Sequence, residues 1–122
     1  MPHLTIEYSR NLEAGFALAE TLREVNATLV ASGQIRNEPD LKSRIVPLDE
    51  TVVGTGLGDR GFVYCLLRLL PGRSDAVKAE MSERIAVVMR KRIPQPAGMM
   101  VQLSVEVIEM HAPSYVKEVL AA

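Results

Sequence analysis

The 122-residue chain has no tryptophan, two phenylalanines and three tyrosines. So sparse a set offers no aromatic platform on which single-stranded bases could stack. A single cysteine, Cys65, excludes an internal disulfide. It lies in an apolar run, where a thiol is expected to be buried and inert. The two histidines, His3 and His111, stand far apart, and no His or Cys cluster has metal-ligand spacing. No run of about 18 apolar residues is present to span a bilayer. No charged, apolar, small-residue leader opens the chain. A cytoplasmic location with no membrane partner is the resulting expectation. Charge of neither sign dominates, the formal net charge being −1. That removes the overall basic bias expected of a nucleic-acid partner.

What is present is an ordinary single-domain composition, 48% apolar and 24% charged. The chain opens Met1-Pro2-His3-Leu4-Thr5-Ile6-Glu7-Tyr8. Proline after the initiator is small enough for methionine excision to be expected, which leaves Pro2 with a free secondary amine. Pro2, Leu4, Ile6 and Tyr8 alternate with His3, Thr5 and Glu7, a period of two that predicts a strand. Two readings of Pro2 are open at this point. It is a catalytic amine held by an edge strand, or it merely starts a strand, as proline readily does.

Asn11 is a candidate N-cap. From there Leu12, Phe16, Ala19, Leu22, Val25 and Leu29 recur at helical spacing, and Ser32-Gly33 is a plausible stop. A loop over 34–40 leads to a second strand over Leu41 to Leu48, whose alternation puts Lys42 and Arg44 on one face. Together they can clamp a dianion, or, as the simpler reading of the residues alone, keep a solvated edge from aggregating. Residues 49 to 61 carry four glycines without the setting of a dinucleotide fingerprint. A flexible loop that borders an active site is expected. Phe62 to Leu70 has one charge, Arg68, and is apolar on both faces, so a strand covered on both sides is expected. Helices cover only one face of a small two-layer domain, so the second cover has to come from another subunit. Pro71-Gly72-Arg73-Ser74-Asp75 turns into a second helix, with Ser74 as N-cap and Arg90, Lys91 and Arg92 in the last turn. Met99 to Met110 alternates as a fourth strand, and Ser114 to Leu120 forms a short helix or strand.

The order is therefore β-α-β twice, in halves of about 2–48 and 61–110 within one domain, 1–122. Right-handed crossovers place both helices on one face of a four-stranded mixed sheet, an α/β (two-layer α+β) fold.

Met-Pro-His-Leu-Thr-Ile-Glu-Tyr-Ser at the start and Pro71-Gly72-Arg73-Ser74 resemble the tautomerase superfamily. Within it the chain is most similar to the 5-carboxymethyl-2-hydroxymuconate Δ-isomerases. Val25 to Leu29, Lys42-Ser43-Arg44 and Leu103 to His111 extend the resemblance over nearly the whole chain. It implies a double β-α-β fold assembled as a homotrimer. It also implies a cofactor-free isomerase that moves a proton within an unsaturated 2-hydroxy acid of aromatic catabolism. Carried over, Pro2 is the general base and acid, Arg73 the motif arginine, and Lys42 and Arg44 bind a small anionic substrate. The family pattern reads Arg-Ser-Arg where this chain has Lys42-Ser43-Arg44, and lysine lacks the bidentate fork. Arg44 has a structural alternative, an ion pair with Glu106 or Glu109. A related tautomerase activity and a non-enzymatic trimeric binding protein are the alternative functions.

Overall fold

The computed structural model describes residues 1–122. Strand β1 (His3–Ser9) is followed by a 3-10 turn (Arg10–Leu12) and helix α1 (Leu18–Ala31). A second 3-10 turn (Glu38–Asp40) precedes β2 (Lys42–Leu48), and β3 (Arg60–Leu69) leads to α2 (Asp75–Arg92) and β4 (Met100–Glu109). The four strands form one sheet in the order β2-β1-β3-β4. β1 and β2 are parallel, β3 and β4 are parallel, and the central pair β1–β3 is antiparallel. This is the double β-α-β fold expected from the alternation of periods.

The two helices pack on each other and cover one face of the sheet. Leu4, Ile6, Tyr8, Val63, Cys65 and Leu67 point into that face and are fully buried. Val25 and Leu29 of α1 and Met81, Ile85 and Met89 of α2 meet them. The α2 start follows the sequence reading: Ser74 Oγ accepts from the Val77 amide at 3.2 Å.

The first helix begins later than its periodicity suggests. Gly15 takes φ +77°, a left-handed turn that breaks the helical path. Asn11 does not cap; its amide donates to the Arg60 carbonyl at 2.9 Å and ties the turn to β3. Leu12 and Phe16 are buried from that turn, Ala19 is exposed, and the inner stripe of α1 is Thr21, Val25 and Leu29. Thr21 is tolerated there because its hydroxyl donates to the Ala17 carbonyl at 2.7 Å. At the other end of the chain, Ala112–Ser114 forms a 3-10 turn and the tail beyond it has no regular structure. The helix or strand expected over 114–120 is absent.

The second sheet face carries His3, Thr5, Glu7, Lys42, Arg44, Tyr64, Leu66 and Arg68; no helix of the kind that covers the first face lies over it, and only the segment from His111 to Tyr115 borders it. The apolar stripe expected on both sides of β3 is thus covered by helices on one side only. No helix is long and apolar enough to cross a membrane.

Candidate active site

Antiparallel pairing of β1 with β3 sets His3 beside Arg68, so the start of the first strand lies at the end of the third. The turn that follows β3 therefore arrives beside Pro2, bringing Arg73. The loop leaving α1 closes the third side. Between them is a cavity of about 570 Å³ walled by Met1, Pro2, Gly33 to Arg36, Asp40 and Leu69 to Arg73. Two of its walls turn on glycines with positive φ, Gly33 at +79° and Gly72 at +127°. A side chain at either would be strained. Pro2 is buried, and its carbonyl accepts from the Lys42 amide at 3.1 Å, which fixes the terminus to the sheet.

Arg73 is held by backbone. Its Nη2 donates to the Gln34 carbonyl at 2.7 Å and its Nη1 to the Leu70 carbonyl at 3.4 Å. The buried Nε has no partner, and no carboxylate pairs with the guanidinium. The cavity thus carries a cation whose charge is uncompensated, the condition under which an anion is drawn in.

The amino terminus sits at the mouth. The Met1 amine lies 3.8 Å from Asp40 Oδ2, and Asp40 Oδ1 pairs with Lys117 Nζ at 2.9 Å. Tyr115 donates to the Met1 carbonyl at 3.4 Å. Burial is the main cause holding the amine below its ordinary value of 8.0. Lys42, Lys117 and Arg73 press it the same way, while Asp40 opposes them.

Of the residues singled out from sequence, Pro2 and Arg73 share this cavity. Lys42 and Arg44 do not line it. Parallel pairing places Lys42 beside His3 and Arg44 beside Thr5, on the face away from the helices. Lys42 folds back toward the terminus, its Nζ donating to the Asp40 carbonyl at 3.0 Å. Arg44 stays on the open face, donating to Thr5 Oγ1 at 3.0 Å and facing His3 Nδ1 at 3.2 Å. It makes no ion pair with Glu106 or Glu109: Glu106 accepts from Tyr64, and Glu109 pairs with Lys78 at 3.6 Å. A second hollow of about 640 Å³ lies on that face, with Arg44, His3, Tyr64, Arg68, His111 and Tyr115 in its lining. His3 is held below its ordinary value, mainly by burial and then by Arg44 and Lys42.

The glycine-rich loop is not at this site. Asp49 pairs with Arg10, just past the far end of β1 from Pro2, and no residue of 49–59 lines either cavity. Burial pushes the Cys65 thiol up to about 12, so it is inert as expected. Asp40, Tyr115 and Lys117 were missed by sequence reasoning. They reach the mouth through topology, and nothing in their spacing points to it.

A four-stranded double β-α-β sheet with both helices on one face, and a cavity opening at Pro2, is the fold of the tautomerase superfamily. The chain belongs to the 5-carboxymethyl-2-hydroxymuconate isomerase family, whose model matches residues 2–120. It is similar to the crystal structure of a 5-carboxymethyl-2-hydroxymuconate isomerase from Deinococcus radiodurans R1, with 27% identity and a TM-score of 0.85. That match covers 96% of this chain and 88% of the other. A 5-carboxymethyl-2-hydroxymuconate delta-isomerase structure shares the fold at 21% identity and TM-score 0.62, over 100% of this chain and 89% of the other. So does a fused 4-OT wild-type symmetric trimer, at 16% identity and TM-score 0.60, over 88% and 87%. None of the curated proteins matches the chain at a significant level.

Proposed function

We propose that this isomerase converts 5-carboxymethyl-2-hydroxymuconate, an unsaturated 2-hydroxy acid, to its 2-oxo isomer, without a cofactor and with Pro2 as the base. The observation that carries the reading is the meeting of Pro2 and the uncompensated Arg73 in one cavity. Removal of Met1 leaves Pro2 with a secondary amine one residue further in. Burial and the surrounding cations favour its neutral form. A neutral amine takes the proton of the enolic hydroxyl, and the same ammonium then returns a proton to carbon. No atom is gained or lost. Arg73 offers two parallel N–H donors to a carboxylate or to the developing dienolate.

The uncovered sheet face supports self-association as a homotrimer, in which Lys42 and Arg44 of one subunit reach the substrate held by another. The symmetric trimer among the fold relatives agrees with this. The family name favours the carboxymethyl substrate over a simpler 2-hydroxydienoate.

The test is an ultraviolet assay of ketonisation with 2-hydroxymuconate and its 5-carboxymethyl derivative, on protein whose mass shows Met1 removed. Fast turnover of the carboxymethyl compound is expected, with kcat/KM lowered on the order of 100-fold or more in Pro2→Ala, as for loss of a positioned base. Full activity in that variant, or in protein carrying an amino-terminal extension, would remove Pro2 from the mechanism. Turnover of the simpler acid alone would move the chain to a sister tautomerase activity.

A further inference from the structure

Two segments far apart in sequence converge on the amino terminus, and one of them is the irregular carboxyl-terminal tail. Asp40 ends the 3-10 turn before β2, and its side chain is 15% exposed. One carboxylate oxygen holds Lys117 of the tail at 2.9 Å, and the other faces the terminal amine at 3.8 Å. Tyr115, two residues before Lys117, reaches both the Met1 carbonyl and His3 Nε2 at 3.4 Å. The tail is thus fastened to the terminus at two points. Without them residues 115–122 have nothing regular to keep them in place.

We propose that Asp40 is a positioning residue for the catalytic amine, acting on it through its charge at the cavity mouth, and that Lys117 moderates the carboxylate by occupying its second oxygen. This rests on the reading of Pro2 as the base. The Pro2 nitrogen lies about 3 Å from the Met1 nitrogen along the chain, so it stays within the field of the same carboxylate. The charged and titratable groups facing this point are Asp40 itself, Lys42 on β2, Arg36 and Arg73 on the cavity walls, His3 on β1, and Tyr115 and Lys117 on the tail. Among them Asp40 is the one carboxylate. It opposes the cations that would otherwise push the amine fully neutral. An amine whose pKa is driven too low is a weak base for the first proton transfer, although its ammonium returns the proton readily, so a single anion at this place balances the two halves of the reaction.

The two charges predict opposite effects. Asp40→Asn removes the anion and leaves Lys117 uncompensated, so the midpoint of the amine's titration falls. Lys117→Met removes a cation and frees the carboxylate, so the midpoint rises. Each shift is expected at about half a pH unit or more, as for a charge several ångströms away at a partly exposed site. The acid limb of the pH profile of kcat/KM moves with it in each variant, and Asp40→Glu restores the parent profile.

The measurement is an NMR titration of ¹⁵N-proline-labelled mature protein, its mass confirming the start at Pro2, beside the pH profiles. Opposite shifts in the two variants support the proposal. Shifts of the same sign, or none, overturn it, because loosening of the tail alone would act alike in both. The NMR titration reads the amine whether or not it is the base. Activity that survives Pro2→Ala, with the opposite shifts present, therefore rejects the function proposed above and leaves the Asp40 coupling standing.

Discussion

Arg73 shows how much a single side chain was legible and how much was not. Its place in a Pro-Gly-Arg-Ser turn marked it in the sequence, but not the carbonyls of Gln34 and Leu70 that aim it. Because it has no carboxylate partner, its charge is expected to act on substrate. Arg73→Ala is expected to lower kcat/KM by roughly 10- to 150-fold, the range for loss of a hydrogen bond to a charged group. Arg73→Lys keeps the charge without the fork and is expected to fall between the two. Steady-state assays on protein with an unchanged circular dichroism spectrum check both. Equal rates in all three proteins would make Arg73 a wall residue. Lys42 and Arg44 show the opposite case. Their alternation correctly put them on one face, but register with β1 turned that face away from Pro2. Asp40 and Lys117 lay beyond reach because an ion pair between a turn and a distant tail leaves no local pattern.

At the scale of elements, strands and the second helix were legible because each has one dominant signal. Alternation fixed β1, β2 and β4, and Ser74 fixed the start of α2. The start of α1 was not, since Leu12 and Phe16 are buried at helical spacing from a turn that is not helical. What joins the helices was also unreadable. Arg92 Nε meets Glu24 Oε1 at 2.8 Å, Lys91 takes the other oxygen, and Arg92 Nη1 lies 3.6 Å from Glu20. The basic run at the end of α2 therefore grips α1 besides facing its own helix dipole. Hydrogen bonds from Lys91 and then Arg92 hold the Glu24 carboxyl below the ordinary glutamate value. A depressed folded value stabilises the fold above the unfolded value, about 4.3, and that contribution is lost as pH falls through the folded value. Glu24→Gln is expected to be less stable than the parent in urea at pH 7. The difference should begin to shrink as the pH falls below about 4.3 and vanish once it has passed the folded value. A gap that persisted there would assign the loss to packing instead.

For the whole molecule, the open sheet face is the feature that a single chain leaves unfinished. Leu66 and Tyr64 stand half-buried there among Arg44, Arg68 and Glu7, with no α-helix above them. The apolar run over 62–70 led to the expectation of a second cover; its origin in another copy is the proposal made above. Leu66→Arg is expected to convert the assembly to a folded monomer in sedimentation velocity, with activity lost alongside it. A parent protein that sediments as a monomer at micromolar concentration would sink that expectation. The fastening of the tail to the terminus has a further consequence, in the order of synthesis. Tyr115 emerges from the ribosome 114 residues after Met1, whose carbonyl it grips. Chains are made at about 5–20 residues per second, so for several seconds the first residue is bare. The trimming of Met1 that the proposed mechanism requires belongs to that interval. A chain that finished and folded untrimmed would close its own tail over the bond that has to be cut. On the proposed mechanism, the fraction of active molecules would then be set by a race between peptidase and translation.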